Sequence, residues 1–296
     1  MKKVWFITGS SRGLGRCLTE ALLANGQLVA ATARHPEELN DLVKKYRSQI
    51  FTIKLDVTRH DEVYQVVADT VAYFGKIDVL VNNAGFGITG AAEAFSEEQV
   101  RSQLDTNLYA PIEITRAVLP YMRKQHSGHI LQISSIGGRV GNAGLSMYQA
   151  AKFGLSGFSE SLSKEVAPLG IRVTCIEPGG FRTDWAGASM TFATRIEGYE
   201  STVDLRADVF KRGKYIPMGD PNKAAKVIIE LVENPFPPVH LILGSDAAGI
   251  LKRADAERSA EFEKWLPVSL STDHDDAVNI SESKELRTLL EMKGNV

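Results

Sequence analysis

The 296-residue chain has only two cysteines, Cys17 and Cys175, each set in an apolar stretch. So few exclude a disulfide framework and fit reduced, buried thiols in a cytoplasmic protein. Charge of one sign is equally scarce, since 34 Lys and Arg nearly balance 36 Asp and Glu. No general field draws such a chain to nucleic acid or to an anionic membrane, and a small-molecule partner is the simpler expectation. No hydrophobic run approaches the roughly 18 residues of a membrane span. The opening run ends at Thr8-Gly9, short of the roughly 7 to 15 apolar residues of a signal-peptide core, and is expected to be a first buried strand of a protein that is not exported. Repeats of fixed period and low-complexity tracts are lacking too, which argues against solenoids and disordered linkers.

What is there is an alternation. Apolar runs of strand length occur at Val4 to Thr8, Leu28 to Ala33, Ile50 to Leu55, Ile77 to Val81, His129 to Ile133, Arg172 to Ile176 and Val239 to Leu243, separated by longer segments with helical spacing. That is the pattern of consecutive βαβ units and hence of a mostly parallel sheet covered on both faces. Near-continuous Val, Ile and Leu fit strands buried on both sides. Ser96-Glu97-Glu98-Gln99 reads as a capping box, and Asn25-Gly26 and Phe74-Gly75 as helix ends followed by glycine. The expected fold is an α/β, Rossmann-type doubly wound sheet, in one domain over residues 1–245.

Two regions break the rhythm. Residues 180–218 hold Phe181, Trp185, Phe192, Tyr199, Phe210 and Tyr215 among polar residues, too long for a simple connection, and are expected to be a substrate lid or a satellite core. Residues 246–296 follow the last strand as a C-terminal helical appendage, with a helix-like stretch from Leu251 to Trp265 and a second run ending near Met292.

The first strand leads into Thr8-Gly9-Ser10-Ser11-Arg12-Gly13-Leu14-Gly15 and then a helix. Glycines at this junction let the backbone turn sharply and let a pyrophosphate approach the helix N-terminus, where free N–H groups favour negative charge. Arg16-Cys17 after the last glycine disfavours a P-loop, which needs Lys followed by Ser or Thr. Thr8-Gly9-x-x-x-Gly13-x-Gly15 resembles the nucleotide signature of the short-chain dehydrogenase/reductase family. Four further signatures follow in that family's order: Asp56-Val57, Asn82-Asn83-Ala84-Gly85, Ser135 with Tyr148-x-x-x-Lys152, and Pro178-Gly179. The resemblance covers about residues 1–245. It implies a nicotinamide cofactor cradled by Gly9, Ser11, Arg12, Gly13, Leu14 and Gly15, with Asp56 and Val57 at the adenine and Asn83, Ala84 and Gly85 along the wall. It further implies Pro178, Gly179 and Thr183 beside the nicotinamide, and Tyr148 and Lys152 reaching the cofactor.

An NAD enzyme of this architecture offers an acid to the ribose 2′-hydroxyl roughly 20 residues past the glycine turn, whereas arginine accommodates a 2′-phosphate. This chain offers Ala33-Arg34, with Arg12 as a second guanidinium, so NADP(H) is expected over NAD(H).

Tyr148 and Lys152 lie four residues apart in a helical segment, so they share a face. A nearby ammonium is expected to lower the phenol, which titrates near 10 when free, and to make Tyr148 the general acid/base of a carbonyl/secondary alcohol interconversion. Ser135, after the strand ending at Ile133, is expected to polarise the substrate oxygen; Ser134 competes for that role. By the resemblance, Asn107 would help hold a water that relays protons to Lys152. Phe86, Gly87, Gly138, Leu145 and the lid are expected around a largely apolar substrate.

No cysteine or carboxylate cluster completes a metal site with His126 and His129, and no metal is expected. Asn279-Ile280-Ser281 is a formal glycosylation sequon without an expected use. A different class of function, an NADP(H) sensor or scaffold with little turnover, is set against the intact Ser135, Tyr148 and Lys152. Homodimers or homotetramers are common in the family and expected here.

Overall fold

The computed structural model describes residues 2–186, 189–212 and 216–277. Tyr215, the sequon at Asn279 and the run ending near Met292 lie outside the described residues. The order along the chain is β1 (Val4–Thr8), α1 (Gly13–Ala24), β2 (Leu28–Ala33), α2 (Asn40–Tyr46), β3 (Ile50–Lys54), α3 (His60–Phe74), β4 (Val79–Asn82), β5 (Gly87–Thr89), α4 (Glu97–Leu104), α5 (Ala110–Gln125), β6 (Gly128–Ile133), α6 (Ser146–Val166), β7 (Ile171–Pro178), β8 (Met190–Phe192), α7 (Leu205–Lys211), α8 (Pro221–Glu233), β9 (His240–Leu243) and α9 (Ser245–Leu270). All seven expected strands are present, and they form one parallel sheet in the order β3-β2-β1-β4-β6-β7-β9.

The alternation of side chains along each strand divides the core in two. Trp5 and Ile7 of β1 pack with Leu18, Leu22 and Ile228, from α1 and α8, on one face. Phe6 between them packs with Val67, Ile114 and Leu162, from α3, α5 and α6, on the other. Strands apolar on both faces require this double cover, and β1 is buried at every position. The chain begins at the centre, builds outward to β3, then returns to place β4 on the other side of β1. The order reverses between β1 and β4, which opens a crevice at the carboxyl ends of the strands.

Helix ends follow the local rules. Ser96 and Gln99 make the reciprocal capping box of α4, and Gly75, at φ 84°, closes α3 in the left-handed region. Two features escaped the sequence. β5 and β8 form a separate parallel pair that fastens residues 190–192 beside Gly87–Thr89, and strands of three residues are too short to show a period. In addition, α9 starts at Ser245, runs unbroken to Leu270 and carries Pro267 near its end.

Candidate active site

A cavity of about 1120 Å³ lies at the carboxyl ends of the strands. Its floor is the turn from β1 to α1. Gly9 (φ 67°) and Gly13 (φ 57°) adopt left-handed backbone there, which L side chains rarely tolerate. A Cβ on Gly15 would lie 2.3 Å from the Gly9 carbonyl oxygen, so the helix start can sit this close to the strand only without one. No side chain caps the N-terminus of α1, and its first turn has no acidic residue, so its N–H groups and dipole face the cavity uncompensated. These features fit a pyrophosphate.

The expected cofactor residues Gly9, Ser11, Arg12, Gly13, Leu14, Arg34, Asp56, Val57, Asn83, Ala84, Gly85, Tyr148, Lys152, Pro178, Gly179 and Thr183 all line this cavity. Gly15 does not; it serves the packing of α1 on the turn instead. Asn83 acts mainly as a buttress, its Nδ2 donating to the carbonyls of Thr8 and Gly9 at 2.9 and 3.0 Å. The Asp56 carboxylate accepts from both the amide and the hydroxyl of Thr58. Arg12 and Arg34 are exposed and their side chains make no hydrogen bond or ion pair among the described residues, whereas neighbouring Arg16 is tied to Glu20 and Asp41.

Ser135, Tyr148, Lys152 and Asn107 meet at the cavity's inner end. α6 carries Tyr148 and Lys152 on one buried face, and the Lys152 ammonium stands 5.9 Å from the centre of the Tyr148 ring while donating to the Ile133 carbonyl at 2.8 Å. Ser135 hydrogen-bonds Tyr148 and accepts from the Gly137 amide at 3.0 Å. The Ser134 hydroxyl turns the other way, to the Lys152 carbonyl and to Ser156. Asn107 is fully buried in a π-helical turn, Asp105–Tyr109; its Nδ2 donates to the Phe86 carbonyl and its Oδ1 accepts from the Phe86 amide.

The electrostatics differ from the simple expectation. Burial pushes Tyr148 up to about 12, opposed by the Ser135 hydrogen bond. Burial also brings Lys152 down to about 8. Desolvation penalises both charged forms, and the ammonium is turned toward a backbone carbonyl. The phenol is therefore held protonated through the neutral range.

The region 180–218 supplies one wall. Trp185 packs against Tyr148 with ring centroids 5.3 Å apart, and Phe210 meets Trp185 edge-on at 6.5 Å. Thr183 faces Gly13 across the cleft. Phe192 and Tyr199 face elsewhere, under Lys211 and against Glu93 respectively. Phe86 and Leu145 line the cavity as expected, whereas Gly87 and Gly138 do not; a Cβ on Gly138 would meet Ser134 and Ser156 in the interior. Sequence reasoning missed Asp246 and Ile250, the first turns of α9, which also line the cavity. Asp246 accepts the Gly180 amide at 2.8 Å, so the segment read as an appendage begins inside the site. An acid in the first turn of a helix after a strand was the available signal.

Comparison with known proteins places this arrangement. The short chain dehydrogenase family profile matches residues 3–192, and the chain belongs to that family of oxidoreductases. It is 44% identical over 273 residues to oxidoreductase BOA17 of Botryotinia fuckeliana, covering 92% of this chain and all of that one. A crystal structure of a short-chain dehydrogenase from Streptomyces avermitilis superposes with a TM-score of 0.88 at 39% identity, covering 93% of this chain and 100% of that one. A serine dehydrogenase in complex with NADP+ superposes at 0.71 with 28% identity, covering 81% and 94%.

Proposed function

We propose that the protein interconverts a carbonyl and a secondary alcohol with NADP(H), and that Tyr148 is its general acid/base. One observation carries the reading: Tyr148, Ser135 and Lys152 share a wall of the same cavity whose floor is the uncapped glycine turn. The bound nicotinamide would supply or accept the hydride. Tyr148, a phenol that burial keeps protonated well beyond the neutral range, gives its proton to the carbonyl oxygen during reduction. Ser135 donates a hydrogen bond to that oxygen and offsets the charge developing on it. Lys152, largely protonated at neutral pH, lies close enough to stabilise the phenolate left behind. Asn107 holds Phe86 and the wall next to Lys152.

Support for NADP(H) over NAD(H) comes from Arg34 and Arg12, two guanidinium groups of the cavity lining without side-chain partners among the described residues, and from the absence of an acid at the end of β2. The NADP+ complex of the related serine dehydrogenase is in keeping with this. Trp185, Phe210 and Leu145 favour a largely apolar substrate.

The test is oxidation of NADPH and of NADH by the purified protein across small and bulky apolar carbonyls, with Tyr148→Phe as the control. Turnover should prefer NADPH and fall by roughly 10² to 10⁴ in the variant. Tight NADPH binding with no Tyr148-dependent turnover would instead mark a sensor.

A further inference from the structure

Behind the catalytic wall, and outside the cavity lining, lies a carboxylate that this mechanism does not use. Glu177, the residue before Pro178-Gly179, is fully buried. Its Oε2 accepts from the Arg139 guanidinium at 3.3 Å, and its Oε1 pairs with His240 Nδ1 at 2.9 Å. Cys175 completes the group, its sulfur lying within 4.8 Å of the nearest donor atoms of Glu177 and His240. Both oxygens of Glu177 are already taken by cationic partners, so the group is an ion-pair hub and not an open set of metal ligands.

The three residues of this bridge, Arg139, Glu177 and His240, belong to three different parts of the site. Arg139 closes the short helical turn Ile136–Gly138, whose first cap is Ser135. Within that turn the Gly138 amide donates to the Ser135 carbonyl, and the Arg139 amide to that of Ile136, so Ser135 and Arg139 move together. Glu177 itself leads directly into the Pro178-Gly179 wall. His240 opens β9, whose end receives the Gly179 amide at Leu243. α9 adds a second tie, with Arg258 donating to the Arg139 carbonyl. Burying a carboxylate costs more desolvation than an apolar side chain of the same size, and such groups are best accounted for by the geometry they impose.

We propose that Glu177 is a positioning residue whose carboxylate, bridging Arg139 and His240, holds the Ser135 turn in register with the Pro178-Gly179 wall. It touches neither substrate nor cofactor and acts through Ser135. The effect on rate rests on the oxidoreductase reading above; the effect on the turn does not.

The experiment therefore has two readouts, made on the full chain as wild type, Glu177→Gln, Arg139→Gln, Arg139→Lys and the Glu177→Gln/Arg139→Gln double variant. Hydrogen exchange by mass spectrometry should rise in residues 135–140 and 178–180 of Glu177→Gln, while exchange in β1 and α5 stays as in wild type. Steady-state kinetics should show kcat lowered by roughly 10- to 100-fold, as a misplacement of about 1 Å can produce, with NADPH affinity within about twofold of wild type because the glycine turn is untouched. The double variant should be no slower than the worse single one, since the two groups act as one unit, and Arg139→Lys should recover much of the rate lost in Arg139→Gln. If Glu177→Gln does not fold, Arg139→Gln, altered at a partly exposed side chain, carries the same two tests. Unchanged exchange in the turn, or loosening spread over the whole chain with an unchanged rate per folded molecule, would overturn the proposal. A wild-type protein that turns over no carbonyl would refute the oxidoreductase reading, and the exchange data alone would then decide whether the strut exists.

Discussion

Arg34 and Arg12 differ from Arg16 in having no carboxylate partner among the described residues, and an exposed guanidinium held beside a cavity is available to a phosphate. Hydrogen bonds to charged groups are worth about 1.5–3 kcal/mol. Arg34→Ala should accordingly raise KM for NADPH by roughly ten- to a hundredfold and leave KM for NADH nearly unchanged; equal effects on both cofactors would refute the 2′-phosphate role. Lys152 makes a second prediction at this scale. Its ammonium, brought down to about 8 by burial, loses its charge as pH rises through that value, while Tyr148 stays protonated. The rate of reduction should fall on the alkaline side of about pH 8, and Lys152→Arg, whose charge persists, should lose that limb whatever its absolute rate. Tyr148, Lys152 and the glycine turn were legible in the sequence because each acts through spacing along one short stretch of chain. Asp246 and Glu177 were not, since their partners lie 66 and 38 residues away. Nor does spacing reveal that desolvation, not the neighbouring ammonium, governs the tyrosine.

At the scale of elements, the helix α1 is defined by how closely it starts behind β1. Gly15→Ala would force a methyl group against the Gly9 carbonyl and the Asn83 amide, 2.3 and 2.4 Å from its ideal position. Backbone cannot yield as a flexible side chain can, so the helix must move outward. The expected cost is about 1–3 kcal/mol of stability, read as a lower Tm, together with weaker NADPH binding measured by fluorescence titration. Intact binding in a destabilised protein would mean that the turn, and not the helix start, determines affinity. The strands were readable as elements because burial on both faces leaves near-continuous apolar runs. The β5–β8 pair was not, because its stabilisation comes from partners about a hundred residues apart and not from any local preference. For the same reason the sequence left residues 180–218 open between a substrate lid and a satellite core, and did not show that Met190–Phe192 is stitched to the strand beside Phe86.

For the whole molecule, two histidines, on the strands β6 and β9 that flank β7, shape how stability depends on pH. His129 is buried against Thr174, and desolvation, helped by Arg172 and Lys3, lowers it to about 3. Between about 6.5 and 3 the unfolded chain takes up a proton there that the folded chain does not, so stability falls as pH falls. His240 is raised to about 9 by its contacts with Cys175 and then Glu177. Its contribution is complete below about 6.5 and is lost as pH rises through 9. Thermal melts should therefore show a maximum near pH 6.5, with an alkaline decline that His240→Gln flattens; an unchanged alkaline limb would show that His240 is not the group responsible.

The central place of β1 also fixes the order in which a growing chain acquires its parts. The glycine turn proposed to cradle the phosphates ends at Gly15, and its buttress Asn83 lies 68 residues further on. The wall beside the reacting centre is complete only when Leu243 has accepted the Gly179 amide and Asp246 that of Gly180. During synthesis on the ribosome, then, the segment that forms the glycine turn and its buttress is made some 160 residues before the last contacts of that wall, counted from Asn83 to Leu243 and Asp246. A chain ended before Leu243 and Asp246 lacks the partners of the Gly179 and Gly180 amides, and with them the closed wall.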